Sequence, residues 1–236
     1  MPLPKIKHPT HEFKIPSTGK KEVFRPFLVR EEKILLIAKS SEDPGDMFRA
    51  IKQIVNNCCM NDSFDVDKIT IFDLEYLFLQ LRAVSVNNIV KVSYRDNEDQ
   101  KIYDFEIDLK TIEVEFPEGI EKVIQIDDTM GIMMKYPSAA LFDDKEYFKT
   151  GDQAFYELIV RCVDKIYDGE DLYDPSNYTP EEIEKFLDDC GVEVFEKIQK
   201  FMSKNPRLYH KLQYKNANGK ERVIELTSLT DFFTLG

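Results

Sequence analysis

Apolar positions recur along this chain with two different periods, and the changes of period set out the elements. From His11 to Ile15 and from Lys21 to Arg25 the period is two. Phe13 and Ile15 alternate with polar neighbours in the first run, Val23 stands alone in the second, and Ser17-Thr18-Gly19 between them supplies a turn. That combination predicts a β-hairpin. Val29–Lys39 then reads as a helix with one apolar flank, and Ser41-Glu42-Asp43-Pro44-Gly45 breaks the chain. Asp46 is expected to cap a second helix with Met47, Ile51, Ile54 and Val55 on one stripe, and polar Asn56–Asp62 is expected to be a loop. Thr70 and Asp73, three apart, predict the capped start of a third helix running to Val86. Phe72, Leu74, Tyr76, Leu77, Phe78, Leu79 and Leu81 surround most of its circumference, so it is expected to be buried on all sides.

The period then returns to two. Ile89–Arg95, Lys101–Leu109 and Thr111–Phe116 alternate, and Val123–Ile126 and Met130–Tyr136 are further candidates. Together they predict a middle antiparallel sheet that Pro137 ends. Gln153–Tyr167 carries Phe155, Leu158, Ile159, Cys162, Val163 and Ile166 at helical spacing. Tyr178-Thr179-Pro180-Glu181-Glu182 is a helix start, with Thr at the cap, Pro in the first position and Glu in the first turn. Gly191 is expected to stop that helix after Cys190, and Val192–Met202 reads as another. Leu208–Tyr214 and Val223–Leu226 flank Asn216-Ala217-Asn218-Gly219, a hairpin signal, before a last helical turn over Leu229–Phe233. The first ten residues carry three prolines and read as an extended arm.

The expected fold is therefore α+β: an N-terminal hairpin and helices, a middle antiparallel sheet, an acidic helical region and a C-terminal β-hairpin. The whole chain, 1–236, is expected to form a single domain with sub-regions 1–88, 89–137, 138–206 and 207–236. Folding of 236 residues should bury roughly 70–75% of the unfolded surface, enough for a self-sufficient core. Val92–Leu109 and Leu212–Leu229 share a Tyr followed by a basic residue, a polar turn and an alternating return strand, a weak internal repeat. Pairing of these two hairpins into one sheet would draw the chain into one domain.

Charge narrows the partners. A net charge of −12 argues against nucleic acid, because neutralising phosphates needs a surplus of Lys and Arg. The charge is uneven: residues 1–40 hold nine Lys/Arg against four Glu, whereas 141–190 hold five against fifteen Asp/Glu. Such polarity suits head-to-tail contact in an assembly, although a solvated acidic face is its commoner cause. Cys58, Cys59, Cys162 and Cys190 form no CxxC spacing, and adjacent Cys58 and Cys59 cannot easily bridge, so buried reduced thiols and a cytosolic chain are expected. No run of about 18 apolar residues predicts a membrane span, and Met1–His8 lacks the apolar core of a secretory signal.

Catalytic constellations are absent from the sequence. His8, His11 and His210 lie outside any HExxH pattern and beside no candidate nucleophile, and neither GxGxxG nor GKS/T occurs. Asp127-Asp128, Asp143-Asp144 and Asp188-Asp189 are paired acids, but carboxylate catalysis needs two acids about 5–10 Å apart in a cleft with separated pKa values. Asp62, Asp65 and Asp67 start like a Ca²⁺ loop that lacks the Gly and Glu it would need. No catalytic, cofactor-binding or metal-binding residue is expected, and no cofactor.

The opening stretch LPKIKHPTHEFKIPSTGKKEVFRPFLVREEKILLIA resembles the start of the baseplate hub subunit and hub assembly protein family of T4-like bacteriophages. FDLEYLFLQLRAVSV (72–86), IDLKTIEVEF (107–116), GIMMKYPS (131–138), CVDKIYDGED (162–171) and FEKIQKFMSKNPRL (195–208) agree in order, so the resemblance spans nearly the whole chain. It implies a non-enzymatic structural or assembly protein of a contractile tail, which helps to build the baseplate hub through protein–protein contacts. The implied partners are other hub, tail tube or tape-measure proteins, with homo-oligomers in the assembly as a further option, and neither nucleic acid nor membrane. The implied location is the host cytoplasm during assembly and then the virion tail baseplate. The alternatives are a transient assembly chaperone absent from the mature virion and a peptidoglycan-acting hub enzyme using an acidic pair. Such relatives carry cysteine pairs in the two hairpin turns, as in zinc knuckles. Here the turns read Arg95-Asp96-Asn97 and Lys215-Asn216-Ala217, so no metal site is carried over. The basic N-terminal block and the acidic 141–190 block are the expected partner surfaces, with Lys20, Lys21, Arg25 and Arg30 as candidate partner-binding residues.

Overall fold

A computed structural model describes residues 6–144 and 151–232. The first half of the proline-rich arm, part of the acidic block and Phe233 of the last helical turn lie outside the described residues. The fold is α+β, with six α-helices and four antiparallel sheets among the described residues. The described residues up to Glu115 make one compact unit with those from Arg207 onward, and Phe116–Pro206 make the other.

In the first unit, β1 (His11–Lys14) and β2 (Lys21–Phe24) form the opening hairpin. Gly19, at φ +72°, closes its turn, which L side chains rarely do without strain. Register corrects one reading of this hairpin. Phe13 stands opposite Glu22 and His11 opposite Phe24, so Phe24 and Glu22 face inward and Val23 faces solvent. α1 covers Val29–Lys39. α2 runs from Pro44 to Cys58 and is capped by Asp43, whose carboxylate accepts from the Gly45 amide at 2.8 Å. The expected cap Asp46 lies inside the first turn instead. Cys58 extends the Ile51, Ile54, Val55 stripe by a further turn, which is why Asn56–Cys58 are helical and not a loop.

α3 (Ile71–Ser85) begins at the Thr70–Asp73 capping box, and Leu74, Leu77, Leu79 and Leu81 on different sides of it are all fully buried. The strands that follow do not make one middle sheet. β3 (Ile89–Arg95) and β4 (Ile102–Asp108) pair only with each other. A 3-10 turn over Leu109–Thr111, anchored by buried Leu109 and Ile112, redirects the chain. β5 (Glu113–Glu115) therefore joins β10 (Arg207–Lys215) and β11 (Glu221–Leu226) in the order β11-β10-β5.

The second unit holds β6 (Val123–Gln125), β7 (Met130–Met134), β8 (Val163–Asp168) and β9 (Asp171–Tyr173), paired in that order. α4 (Asp152–Arg161), α5 (Pro180–Asp188) and α6 (Val192–Ser203) complete it. The helix expected over Gln153–Tyr167 ends at Arg161. Val163 and Ile166 pair as strand residues with Met134 and Ile132, because β-branched residues three apart fit either period. Ile124, Ile132, Ile159, Val163, Ile198 and Phe201 share one core, and Tyr136 stacks on Phe201 at 5.2 Å.

Candidate docking surface

The opening stretch has an inner and an outer side. Its inner side is docked on its own chain. The Ser17 amide and hydroxyl donate to the two carboxylate oxygens of Asp73 at 2.8 and 2.5 Å, tying the hairpin turn to the start of α3. Phe24 is fully buried, with Phe13 5.6 Å away and Phe64 packed edge-on at 5.8 Å. The Thr70–Asp73 box that predicts the helix start therefore also anchors the hairpin.

The four candidate cations occupy different settings. Lys20 pairs with Glu22 and Lys21 with Glu12, each at 2.6 Å, so neighbouring lysines engage carboxylates on opposite faces of the hairpin. Arg25 points inward, with its side chain only 8% exposed. Its guanidinium donates to Glu31 Oε1 and Oε2 at 2.8 and 3.1 Å, and to the Asn57 and Pro26 carbonyls at 2.8 and 3.0 Å. Burial alone would push the Glu31 carboxyl up, yet Arg25, the Leu28 amide and Arg30 together hold it below the usual range. Arg30 meets the same Oε1 at 2.8 Å from an exposed position on the first turn of α1. The structure thus brings Arg25 and Arg30 together on one buried carboxylate, and leaves Lys20, Lys21 and Arg30 facing solvent.

The outer side is α1 itself. Glu31 is its one buried residue, while Val29, Leu36 and Ile37 are 74%, 58% and 74% exposed. Positions 29, 33, 36 and 37 recur on one face of a helix, so Val29, Leu36 and Ile37 form an apolar face with exposed Lys33 among them, Arg30 beside Ile37 and exposed Glu32 beside Leu36. The signal stands in the sequence: Ile34-Leu35-Leu36-Ile37 is four apolar residues in a row, which one buried flank cannot cover.

The two hairpin turns of this unit meet tip to tip through side chains, with no shared ladder between β3–β4 and β10–β11. Asp96 and Asn216, at matching places in the two hairpins, are both buried, and each accepts backbone amides of its own turn. Across the contact Tyr214 donates to Asp96 at 2.5 Å, Arg222 lies 3.1 Å from the same oxygen, and Glu98 takes Asn216 and Lys220 at 3.2 and 2.5 Å. Tyr103 and Tyr214 stand 4.6 Å apart. These oxygens are spent on hydrogen bonds and no thiolate lies among them, so the turns do not fit zinc. Among the described residues no cluster of three or more His, Cys, Asp or Glu is placed to hold a metal ion.

Other reactive groups sit in structural settings. Burial pushes the Cys58 and Cys162 thiols up to about 12, which keeps both protonated and unreactive near neutral pH. Asp127 accepts the Thr129 and Met130 amides of its own turn, and Asp144 pairs with Arg161. Asp65 caps a short 3-10 turn and Asp67 pairs with Lys52.

The family described as T4 bacteriophage base plate protein matches residues 8–234. The chain belongs to that family. As a base plate protein it fits a structural role among other phage base plate proteins and a place in the virion tail. Among the described residues of this base plate protein no helix is long and apolar enough to cross a membrane. No curated protein and no solved structure matches the chain.

Proposed function

We propose that this base plate protein is a non-enzymatic structural or assembly component of a contractile bacteriophage tail that helps to build the baseplate hub. The observation that carries the reading is the outer face of α1. It keeps Val29, Leu36 and Ile37 in water although the hairpin before it is docked on its own chain. An exposed apolar helix face of this kind is a surface that a partner covers. Arg30 and Lys33 supply its charge, Lys20 and Lys21 add exposed cations at the turn end of the hairpin, and Arg25 works from inside by holding Glu31 at the first turn of α1. Other hub, tail tube or tape-measure proteins are the partners. The mechanism is geometric: docking several subunits on fixed surfaces lowers the cost of starting the hub in the host cytoplasm.

The test is assembly in infected cells with Val29→Ser, Leu36→Ser and Ile37→Ser combined. All three side chains are exposed, so the fold should change by no more than about 0.5 kcal/mol per site. Tail yield should collapse while the soluble protein stays folded, and normal yield would overturn the reading. Mass spectrometry of purified particles separates its two forms. A structural subunit is detected in the mature tail, and an assembly chaperone is not.

A further inference from the structure

The second unit carries a surface that complements the outer face of α1. Its strand β9 is the edge of the β6-β7-β8-β9 sheet, and the turn leading into it is acidic. Asp168, Gly169, Glu170, Asp171, Leu172 and Tyr173 are six consecutive exposed residues. Asp168 and Asp171 face each other across the end of the β8–β9 ladder, with Leu172 62% exposed beside them. One copy of the chain thus holds an apolar face carrying Lys33 with Arg30 beside it, and an exposed Leu172 at a sheet edge whose adjoining turn bears Asp168, Glu170 and Asp171.

From this complementarity we propose that the occupant of the α1 face is a second copy of this chain, which offers its β8–β9 turn. Val29, Leu36 and Ile37 would meet Leu172, while Arg30 and Lys33 would meet the three carboxylates. Two unlike surfaces meet at such a contact, which either repeats head to tail from copy to copy or is exchanged reciprocally between two copies. The inference rests on α1 being a docking surface and adds the identity of its partner. Rim charges at such a contact act mainly on encounter and register, so salt should weaken it.

The test uses the full-length purified chain in sedimentation velocity at low salt. Wild type should show concentration-dependent association that weakens as salt is raised. Arg30→Gln with Lys33→Glu makes both surfaces of a copy acidic, and Glu170→Lys with Asp171→Lys makes both basic. Each variant alone should associate at least tenfold more weakly, and an equimolar mixture of the two should recover association. Leu172→Ser, at an exposed site, should weaken association without touching charge. A wild type that stays monomeric, variants that associate like wild type, or a mixture that fails to recover would each overturn the proposal. A monomeric wild type together with tail assembly lost in the Val29/Leu36/Ile37 variant would overturn this partner and leave hub docking through α1 standing.

Discussion

Replacing Arg25 by Met separates a docking residue from an internal one. The substitution keeps the length of the side-chain stem and removes the charge. Glu31, whose side chain has no exposed surface, would lose the two guanidinium contacts at 2.8 and 3.1 Å and keep only Arg30 and the Leu28 amide. The Asn57 and Pro26 carbonyls would lose their Arg25 donor as well. Breaking a buried pair from one side costs about 3–5 kcal/mol, because a charge is left in a place water cannot reach. Arg30 retains part of Glu31's compensation, so the lower end, about 3 kcal/mol, is expected. Urea unfolding of the first unit should show it as a lower midpoint with an unchanged slope. The double variant Arg25→Met/Glu31→Met should recover part of the loss, since no charge is then stranded. A loss below about 1 kcal/mol for the single variant would refute the reasoning, because that is the range of an exposed pair. Arg25 would then belong with Lys20, Lys21 and Arg30 on the docking surface.

Three further outcomes follow from other sites. Burial pushes the Glu75 carboxyl up to about 7, against the pull of the Leu229 amide and with the charge of Asp231 adding to the rise. A raised acid favours the fold below its ordinary value and loses that contribution as pH rises through about 7, so Glu75→Gln should match wild type at pH 4 and exceed it by about 3 kcal/mol at pH 8 in thermal or urea unfolding. Asp96 is held below the usual range first by the Tyr214 hydroxyl, against partial desolvation and with the Glu98 and Asp99 amides and Arg222 adding, so its contribution exists above about pH 4 and fades as pH falls. The stability gap between wild type and Asp96→Asn should close on acidification, and a gap independent of pH would count against that account. Gly131 has no room for a side chain, since a Cβ would lie 2.3 Å from the Tyr167 hydroxyl and 2.8 Å from the Ile124 carbonyl. Gly131→Ala should cost the second unit about 1–3 kcal/mol, and adding Tyr167→Phe should not restore it, because the backbone carbonyl cannot move aside.

How much of this was legible depended on whether the deciding contact was local. The capping boxes at Thr70–Asp73 and Thr179–Glu182 stand where residue spacing places them, because a cap joins groups three residues apart. The Asn216–Gly219 turn is legible for the same reason, with Gly219 at φ +81°. The period of β5 predicts a strand but not its sheet, because its partner Arg207–Tyr209 lies some ninety residues on and no local period encodes that pairing. The sequence of β8 is compatible with helix as well, because Val163 and Ile166 fit two periods and only the register against Ile132 and Met134 decides between them. The candidate surface divided in the same way. Nothing near Arg25 in the sequence marks it as buried, because the carboxylate that draws it inward is on α1, and Glu22 puts a polar letter on the inward face of β2.

The opening stretch earns its place by being used twice. Its hairpin spends Phe13, Ile15, Phe24 and Ser17 on its own α2–α3 scaffold, and Arg25 then fixes the first turn of α1 through Glu31. A helix held from beneath by a buried ion pair presents its other face at little further entropic cost, since the backbone is already ordered before a partner arrives. That links the two classes of residue in one argument. Arg25 and Glu31 are buried, yet they preorganise the helix that carries Val29, Leu36 and Ile37. Weakening the buried pair should therefore reduce docking through α1 even when the exposed face is intact, and the exposed substitutions should reduce docking without reducing stability. A fold that used the pair only for its own stability would show the first effect on unfolding alone and not on assembly at temperatures well below the transition.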